Sequence, residues 1–122
     1  MKRLLVVDDN PVNRKLALAL IRQFGHAGEA VDNGALALER LAKGGIDLVL
    51  MDCHMPVLDG METTRRLRAA GLGAPGHLPV IAVSANSSDD MGMCRAAGMD
   101  DYLSKPLDYD KLKCKLDLWL TA

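Results

Sequence analysis

Short apolar runs alternate along this chain with longer stretches in which apolar residues recur every three or four positions. A run of four or five apolar residues bounded by turn chemistry predicts a strand buried on both faces, and the 3.6-residue period predicts an amphipathic helix. Arg3-Leu4-Leu5-Val6-Val7 is the first such run. Asn10 then caps, and Pro11 opens, a helix with the apolar stripe Val12, Leu16, Ala19, Leu20 and Phe24, ended by Gly25. Glu29-Ala30-Val31 reads as a short second strand, less apolar and so placed at an edge. Asn33-Gly34 turns into a helix from Ala35 to Ala42 with Leu38 and Leu41 inward, stopped by Gly44-Gly45. Leu48 to Met51 is a third strand.

The second half repeats the alternation. Gly60 to Ala70 predicts a helix with Met61, Thr64 and Leu67 on one side and Arg65, Arg66 and Arg68 in solvent, the charge run reading as a solvated face. Gly71 to Pro79 is rich in glycine and proline and is expected to be the most mobile connection. Val80-Ile81-Ala82-Val83 is a fourth strand. Ser87 to Ala97 predicts a marginal helix: Ser87 or Ser88 caps it and Asp89-Asp90 suit its N-terminus, but Gly92 in its middle costs about 1 kcal/mol against Ala. Gly98 ends it, Asp101-Tyr102-Leu103 forms a short fifth strand, and Tyr109 to Leu120 closes the chain with Leu112, Leu116 and Trp119 or Leu120 at helical spacing. Five βα units with right-handed crossovers give a doubly wound α/β fold, a five-stranded parallel sheet covered by helices on both faces.

The strand ends carry the chemistry. The first strand ends in Asp8-Asp9, the third in Asp52, the fourth in Ser84 and the fifth in Ser104-Lys105-Pro106. Pro56 and Asp59-Gly60 are turn residues, so Asp52 stands at the mouth of a loop beyond its strand's carboxyl end, where open α/β sheets bind ligands. A single strand-end Asp is more often a polar terminator. Four of the five strand ends, supplying an acid pair, a lone acid, a hydroxyl and an amine, form a coincidence that points to a site. Adjacent carboxylates repel and need a cation or basic side chain nearby, and three carboxylates without a His or Cys cluster favour a hard divalent ion, Mg²⁺ before Zn²⁺.

Composition narrows the classes. At 122 residues the chain is long enough for one core and too short for a second folded module, so residues 1–122 are expected to be a single domain. One Trp, one Phe and two Tyr leave the core to aliphatic residues and methionine. A net charge of −1 gives no nucleic-acid footprint and no polybasic membrane patch, and no apolar run approaches a membrane span or a signal peptide. Cytoplasmic residence is the default expectation. Cys53, Cys94 and Cys114 make an odd set without C-x-x-C spacing, which argues against a disulfide framework or zinc site and for three small hydrophobes in a reducing compartment. Cys53-His54 alone cannot close a tetrahedral metal site.

Val-Asp-Asp-Asn at 7–10, Met-Asp-Cys-His-Met-Pro-Val-Leu-Asp-Gly at 51–60, Val-Ser-Ala at 83–85 and Gly-Met-Asp-Asp-Tyr-Leu-Ser-Lys-Pro at 98–106 together resemble the response-regulator receiver (CheY-like) family. The likeness runs from Lys2 to Leu120 and is strongest to receivers of hybrid sensor histidine kinases. It implies the flavodoxin-like strand order 2-1-3-4-5, which brings the first and third strands together at the switch point, as the acid cluster requires. It implies Mg²⁺ held by Asp9 directly, Asp8 through water, Asp52, and the backbone carbonyl of His54. Asp52 would accept a phosphoryl group from a phosphohistidine on a histidine kinase or histidine-phosphotransfer protein. Lys105 and Ser84 would contact phosphoryl oxygens, Lys105-Pro106 would be cis, and Ser84 with Tyr102 would form the switch.

The resemblance further implies a phosphoacceptor signalling domain with self-catalysed phosphorylation and dephosphorylation, rather than a turnover enzyme. Its expected partners include a second copy bound through the helix 4, strand 5, helix 5 face, but neither nucleic acid nor membrane. The family often has Thr where this chain has Ser84, and the hydroxyl is kept. His54 and Asn86 stand where the family varies residues that tune dephosphorylation. Two other classes share parts of the pattern. An aspartyl-phosphate phosphatase of haloacid dehalogenase type needs Asp-x-Asp, and Asp52-Cys53-His54 lacks the second acid. A flavodoxin-like cofactor binder needs a Ser/Thr/Gly-rich phosphate cradle after a strand, which is missing.

Overall fold

The computed structural model describes residues 2–55, 58–72, 77–85 and 87–120, with the side chains of 87–90 excepted. Strand and helix alternate as β1 (Arg3–Val7), α1 (Pro11–Gln23), β2 (Ala27–Val31), α2 (Gly34–Ala42), β3 (Leu48–Asp52), α3 (Gly60–Ala69), β4 (Val80–Ser84), α4 (Ser87–Ala97), β5 (Asp101–Ser104) and α5 (Tyr109–Leu120). The five strands form one sheet in the order β2-β1-β3-β4-β5, and every pairing is parallel. The chain thus has the doubly wound, flavodoxin-like topology expected of it, with β3 central and β2 at an edge.

Each strand divides its side chains between two cores because successive residues point to opposite faces. Leu5 and Val7 of β1, Val49 and Met51 of β3, and Val80 and Ala82 of β4 pack with Ala37 and Leu41 of α2, Met61 and Leu67 of α3, and Cys94 and Ala97 of α4. The alternate residues Leu4, Val6, Leu48, Leu50, Ile81, Val83 and Leu103 pack with Ala17, Leu20 and Ile21 of α1 and with Leu112 and Leu116 of α5. All five residues of β3 are buried. Each fully buried Leu, Val or Met contributes about 1.5–3 kcal/mol, so this strand anchors both layers.

Helix starts follow their caps. The Asn10 side chain accepts from the amides of Val12 and Asn13, Asn33 from Leu36, and Asp59 from Glu62. Thr63 and Thr64 are buried in α3, and their hydroxyls donate to the carbonyls of Asp59 and Gly60, which satisfies them inside the helix.

Several expectations require correction. The α1 stripe is rotated: Ala17, Leu20 and Ile21 are buried, whereas Val12 is 71% exposed and Leu16 38%. Ile21 takes the core position that the expected stripe gave to Ala19, and Val12 and Leu16 are left exposed. β2 begins at Ala27, two residues before the expected Glu29. Arg68 is not a solvated residue: it donates to the carbonyls of Gly98 and Leu78 and to Asp100 Oδ2, stitching α3 to the connections around β4 and β5. Cys53 and Cys94 are buried as small hydrophobes, but Cys114 is exposed. The Gly71–Pro79 connection is anchored at its far end by buried Leu78 and by His77 Nε2 against Asp100 Oδ1 at 2.6 Å. The expected mobility of its middle, the Pro56 turn, Asn86, and capping by Ser87 or Ser88 with the Asp89-Asp90 charge all lie outside the described residues.

Candidate functional site

The sheet order sets the site. β1 and β3 are neighbours with Val7 opposite Met51, so Asp8 and Asp52 follow side by side at their carboxyl ends. Asp8, Asp9 and Asp52 each offer a carboxylate oxygen, all within 4.8 Å of one another. Asp8 and Asp52 are buried and Asp9 is exposed, so the cluster has a closed floor and an open side. On the other flank β4 pairs with β5, and the Lys105 amide donates to the Ser84 carbonyl at 2.9 Å. The Lys105–Pro106 peptide is cis, as expected. Lys105 Nζ reaches 3.0 Å from Asp52 Oδ1 and 3.5 Å from Asp8 Oδ2.

The environment of Asp52 is unusual for a carboxylate. Its side chain is 2% exposed. Oδ1 takes the Lys105 ammonium and accepts from the His54 amide at 3.2 Å, while Oδ2 is buried with no hydrogen-bond partner among the described residues. Burial, with the Asp8 charge beside it, pushes the Asp52 carboxyl above the usual aspartate range, against the pull of Lys105. For Lys105 burial works against the charge, but its bond to Asp52 and the charges of Asp52 and Asp8 prevail and hold the ammonium above the usual lysine range. A buried, unpartnered carboxylate oxygen costs free energy until something positive meets it.

The three carboxylates can hold a cation through oxygen alone. The cluster contains no His nitrogen or Cys sulfur, so its donors are those of Mg²⁺ rather than Zn²⁺. Asp52 Oδ2 is the orphan acceptor such an ion would satisfy, and exposed Asp9 gives it an entry path. The residues present fit the ion.

The remaining expected residues fall around this centre. Ser84 is buried at the end of β4, and it belongs in register with Val80 and Ala82, on the α2–α4 side of the sheet. Tyr102 is half-buried and packs against that same core. His54 lies two residues beyond Asp52 and is exposed. Sequence reasoning missed Arg14, whose Nη1 donates to the Asp8 carbonyl at 2.8 Å. A cation in the first turn of a helix opposes the helix dipole, and that is the signal that would have found it. It also missed the role of Gly60: a Cβ there would collide with the Asp52 carbonyl oxygen, so α3 can begin against the end of β3 only with glycine at this position.

Comparison with known proteins agrees with this arrangement. Residues 4–117 match the family described as the response regulator receiver domain, and the chain belongs to it. It is 41% identical over 117 residues to the sensor histidine kinase RcsC of Escherichia coli, an alignment covering 95% of this chain and 12% of that protein. The chain therefore corresponds to about one eighth of the length of that relative. Among solved structures it is similar to the receiver domain of sensor histidine kinase PA1611 from Pseudomonas aeruginosa, which holds a magnesium ion in its active-site cleft, with TM-score 0.90, 38% identity and coverage of 99% and 98% of the two chains. It is also similar to the receiver of the Saccharomyces cerevisiae response regulator Ssk1, solved with the phosphotransfer protein Ypd1, with TM-score 0.86, 26% identity and coverage of 97% and 88%. The chain is a receiver domain of two-component phosphorelay signalling.

Proposed function

We propose that Asp52 is the phosphoacceptor, that Asp8, Asp9, Asp52 and the His54 carbonyl hold Mg²⁺, and that residues 1–122 act as one self-phosphorylating receiver. The observation that carries this reading is the buried Asp52 carboxylate, one oxygen paired with Lys105 and the other without a hydrogen-bond partner among the described residues, beside two further acids at the mouth of the sheet. An Asp52 oxygen attacks the phosphorus of a phosphohistidine. The P–N bond breaks, and the imidazole leaves with its electron pair and takes up a proton. A carboxylate and a phosphoryl group repel, and bound Mg²⁺ supplies the charge neutralisation and the template that let them meet in line. Lys105 is within reach of Asp52 and can follow one phosphoryl oxygen as a point charge. The Ser84 hydroxyl is assigned a second.

The donor is a histidine kinase or a histidine-phosphotransfer protein acting in the cytoplasm. Exposed Val12 and Leu16 at the start of α1, beside the acid pair, give a donor helix an apolar surface to rest on. Phosphorylation then draws Ser84 inward, Tyr102 follows into the space it leaves, and the α4, β5 and α5 face changes its partner, a second copy of the chain among the candidates. Ser84 and Tyr102 share a face of the sheet with α4, which supports that route.

The test is labelling with acetyl phosphate and Mg²⁺. One acid-stable, base-labile phosphoryl group is expected on the native chain and none on Asp52→Asn. Equal labelling of the variant refutes the acceptor, labelling that survives chelation refutes the metal role, and amide shifts confined to the metal-site loops on phosphorylation refute the switch.

A further inference from the structure

The pleat of β3 sends consecutive residues in opposite directions. Asp52 lies in register with Leu48 and Leu50, while Cys53 is fully buried in the α2–α4 core. There its Sγ lies 3.0 Å from Sγ of Cys94, a residue 41 positions away in the last turn of α4. That separation is about 1 Å longer than a disulfide bond of ~2.05 Å, so the sulfurs need to approach by only about 1 Å to bond. The two backbones are held independently. The Cys53 amide donates to the Val83 carbonyl and its carbonyl accepts from Gly60, while the Cys94 carbonyl accepts from the Met99 amide. Neither residue is joined in a disulfide here.

We propose that Cys53 and Cys94 form a reversible disulfide with a low-molecular-weight disulfide as oxidant, and that the bond clamps α4 to the end of β3. The sequence of events balances. The thiolate of one cysteine attacks a sulfur of the oxidant RSSR, giving a protein mixed disulfide and expelling RS⁻. The thiolate of the other attacks the protein sulfur of that mixed disulfide, forming the Cys53–Cys94 bond and expelling the second RS⁻. Two protein thiols lose two electrons and two protons, and RSSR becomes two RSH.

Burial decides when this happens. Thiols at 0% and 3% exposure in apolar surroundings react slowly, so the first attack requires α4 to lift. α4 is a weak helix: Gly92 in its middle costs helix stability, a Cβ at that position would touch nothing within 4 Å, and Met93 is 52% exposed. In a reducing compartment the pair rests as thiols, and the bond forms only under disulfide stress. Once formed, it restrains the helix that the proposed switch must move. That consequence rests on the receiver reading, whereas the bond and the clamp do not.

The experiment uses the full chain and its Cys114→Ser variant, which removes the exposed thiol. Each is incubated with glutathione disulfide at mildly alkaline pH, then denatured, alkylated and digested. In the Cys114→Ser variant the expected result is loss of two hydrogen atoms from the intact mass, and in both proteins loss of alkylation at residues 53 and 94 together and a cross-linked peptide that dithiothreitol resolves. Hydrogen exchange of the amides of 91–97 is expected to slow in the oxidised protein without any phosphodonor present. Alkylation retained at both positions, or stable glutathione adducts on either, overturns the bond. Unchanged or faster exchange in a protein carrying the bond overturns the clamp.

Discussion

Replacing Lys105 by Met removes the ammonium from the acid cluster while keeping most of the apolar stem. Nζ stands 3.0 Å from Asp52 Oδ1 and 3.5 Å from Asp8 Oδ2. Unit charges at the shorter distance attract by about 5.5 kcal/mol at an effective dielectric of 20 and by about 1.4 kcal/mol in water. Asp52 is 2% exposed and Lys105 23%, so the real value lies between these limits. Breaking a buried pair costs about 3–5 kcal/mol; with one partner partly wet, Lys105→Met is expected to lose about 2–3 kcal/mol of stability without metal.

The same substitution has the opposite effect on the cation. Mg²⁺ entering the native site must share Asp8 and Asp52 with the ammonium already there. Removing that competitor returns at least the water-limit interaction, about 1.4 kcal/mol or tenfold in affinity. Titration calorimetry of Mg²⁺ into both proteins measures the affinity, and urea unfolding with and without Mg²⁺ measures the linked stability. The variant is expected to bind Mg²⁺ about tenfold more tightly and to recover most of its lost stability when saturated. Equal or weaker Mg²⁺ binding refutes the account of Lys105 as a cation that the metal must displace. Phosphoryl transfer to the variant should persist at a reduced rate, since the metal carries the larger charge.

Gly60→Ala places a methyl against the Asp52 carbonyl and should cost about 1–3 kcal/mol in urea unfolding, with slower labelling of Asp52; unchanged stability refutes the close-approach argument. Glu29 is bonded by Arg40 and Arg3, which hold its carboxyl at about 2 instead of the usual 4.5. Its stabilisation is therefore complete above the usual carboxylate range and lost as pH falls from about 4.5 through 2, about 1 kcal/mol once discounted for a side chain 32% exposed. Glu29→Gln should flatten the acid limb of the stability curve in that window, and an unaltered limb contradicts the assignment. Gly92→Ala, with open space around the added methyl, should stabilise α4 by about 0.5–1 kcal/mol and slow its hydrogen exchange; a destabilised variant argues against a simple helix at that position.

The strands and their terminal chemistry were legible because both are local. A short apolar run ending in Asp, Ser or Lys identifies a strand and the side chain at its mouth together, and βα alternation leaves few topologies. Arg68 was misread for the converse reason. Helical period gives its angle on α3, but its partners at Leu78, Gly98 and Asp100 lie 10 to 32 residues away, and nothing near Arg68 announces them. The phase of α1 failed because Ala19 and Ile21 both extend a plausible stripe, and only packing against β1 and β3 selects Ile21. The Cys53–Cys94 approach has the same origin, a contact made by tertiary packing between residues 41 apart.

The pleat also explains how one site can address two faces of the molecule. Asp52 keeps the phase of Leu48 and Leu50, and Lys105 that of Leu103, so the charged centre lies above the core shared with α1 and α5. Ser84 keeps the phase of Val80 and Ala82, and Tyr102 packs against the core that contains Cys53 and Cys94, the one shared with α4. Because the side-chain period of a strand is two, a one-residue slip of β4 against β3 would exchange these roles and aim Ser84's neighbours at the metal site. The register pairs Asp52 with Val83, leaving Ser84 one residue beyond at the strand end. A ligand event at the carboxylates can then act on α4 through a single residue step, from Asp52 to Cys53 on one strand and from Val83 to Ser84 on the next. The proposed switch and the proposed thiol pair thereby converge on the same helix.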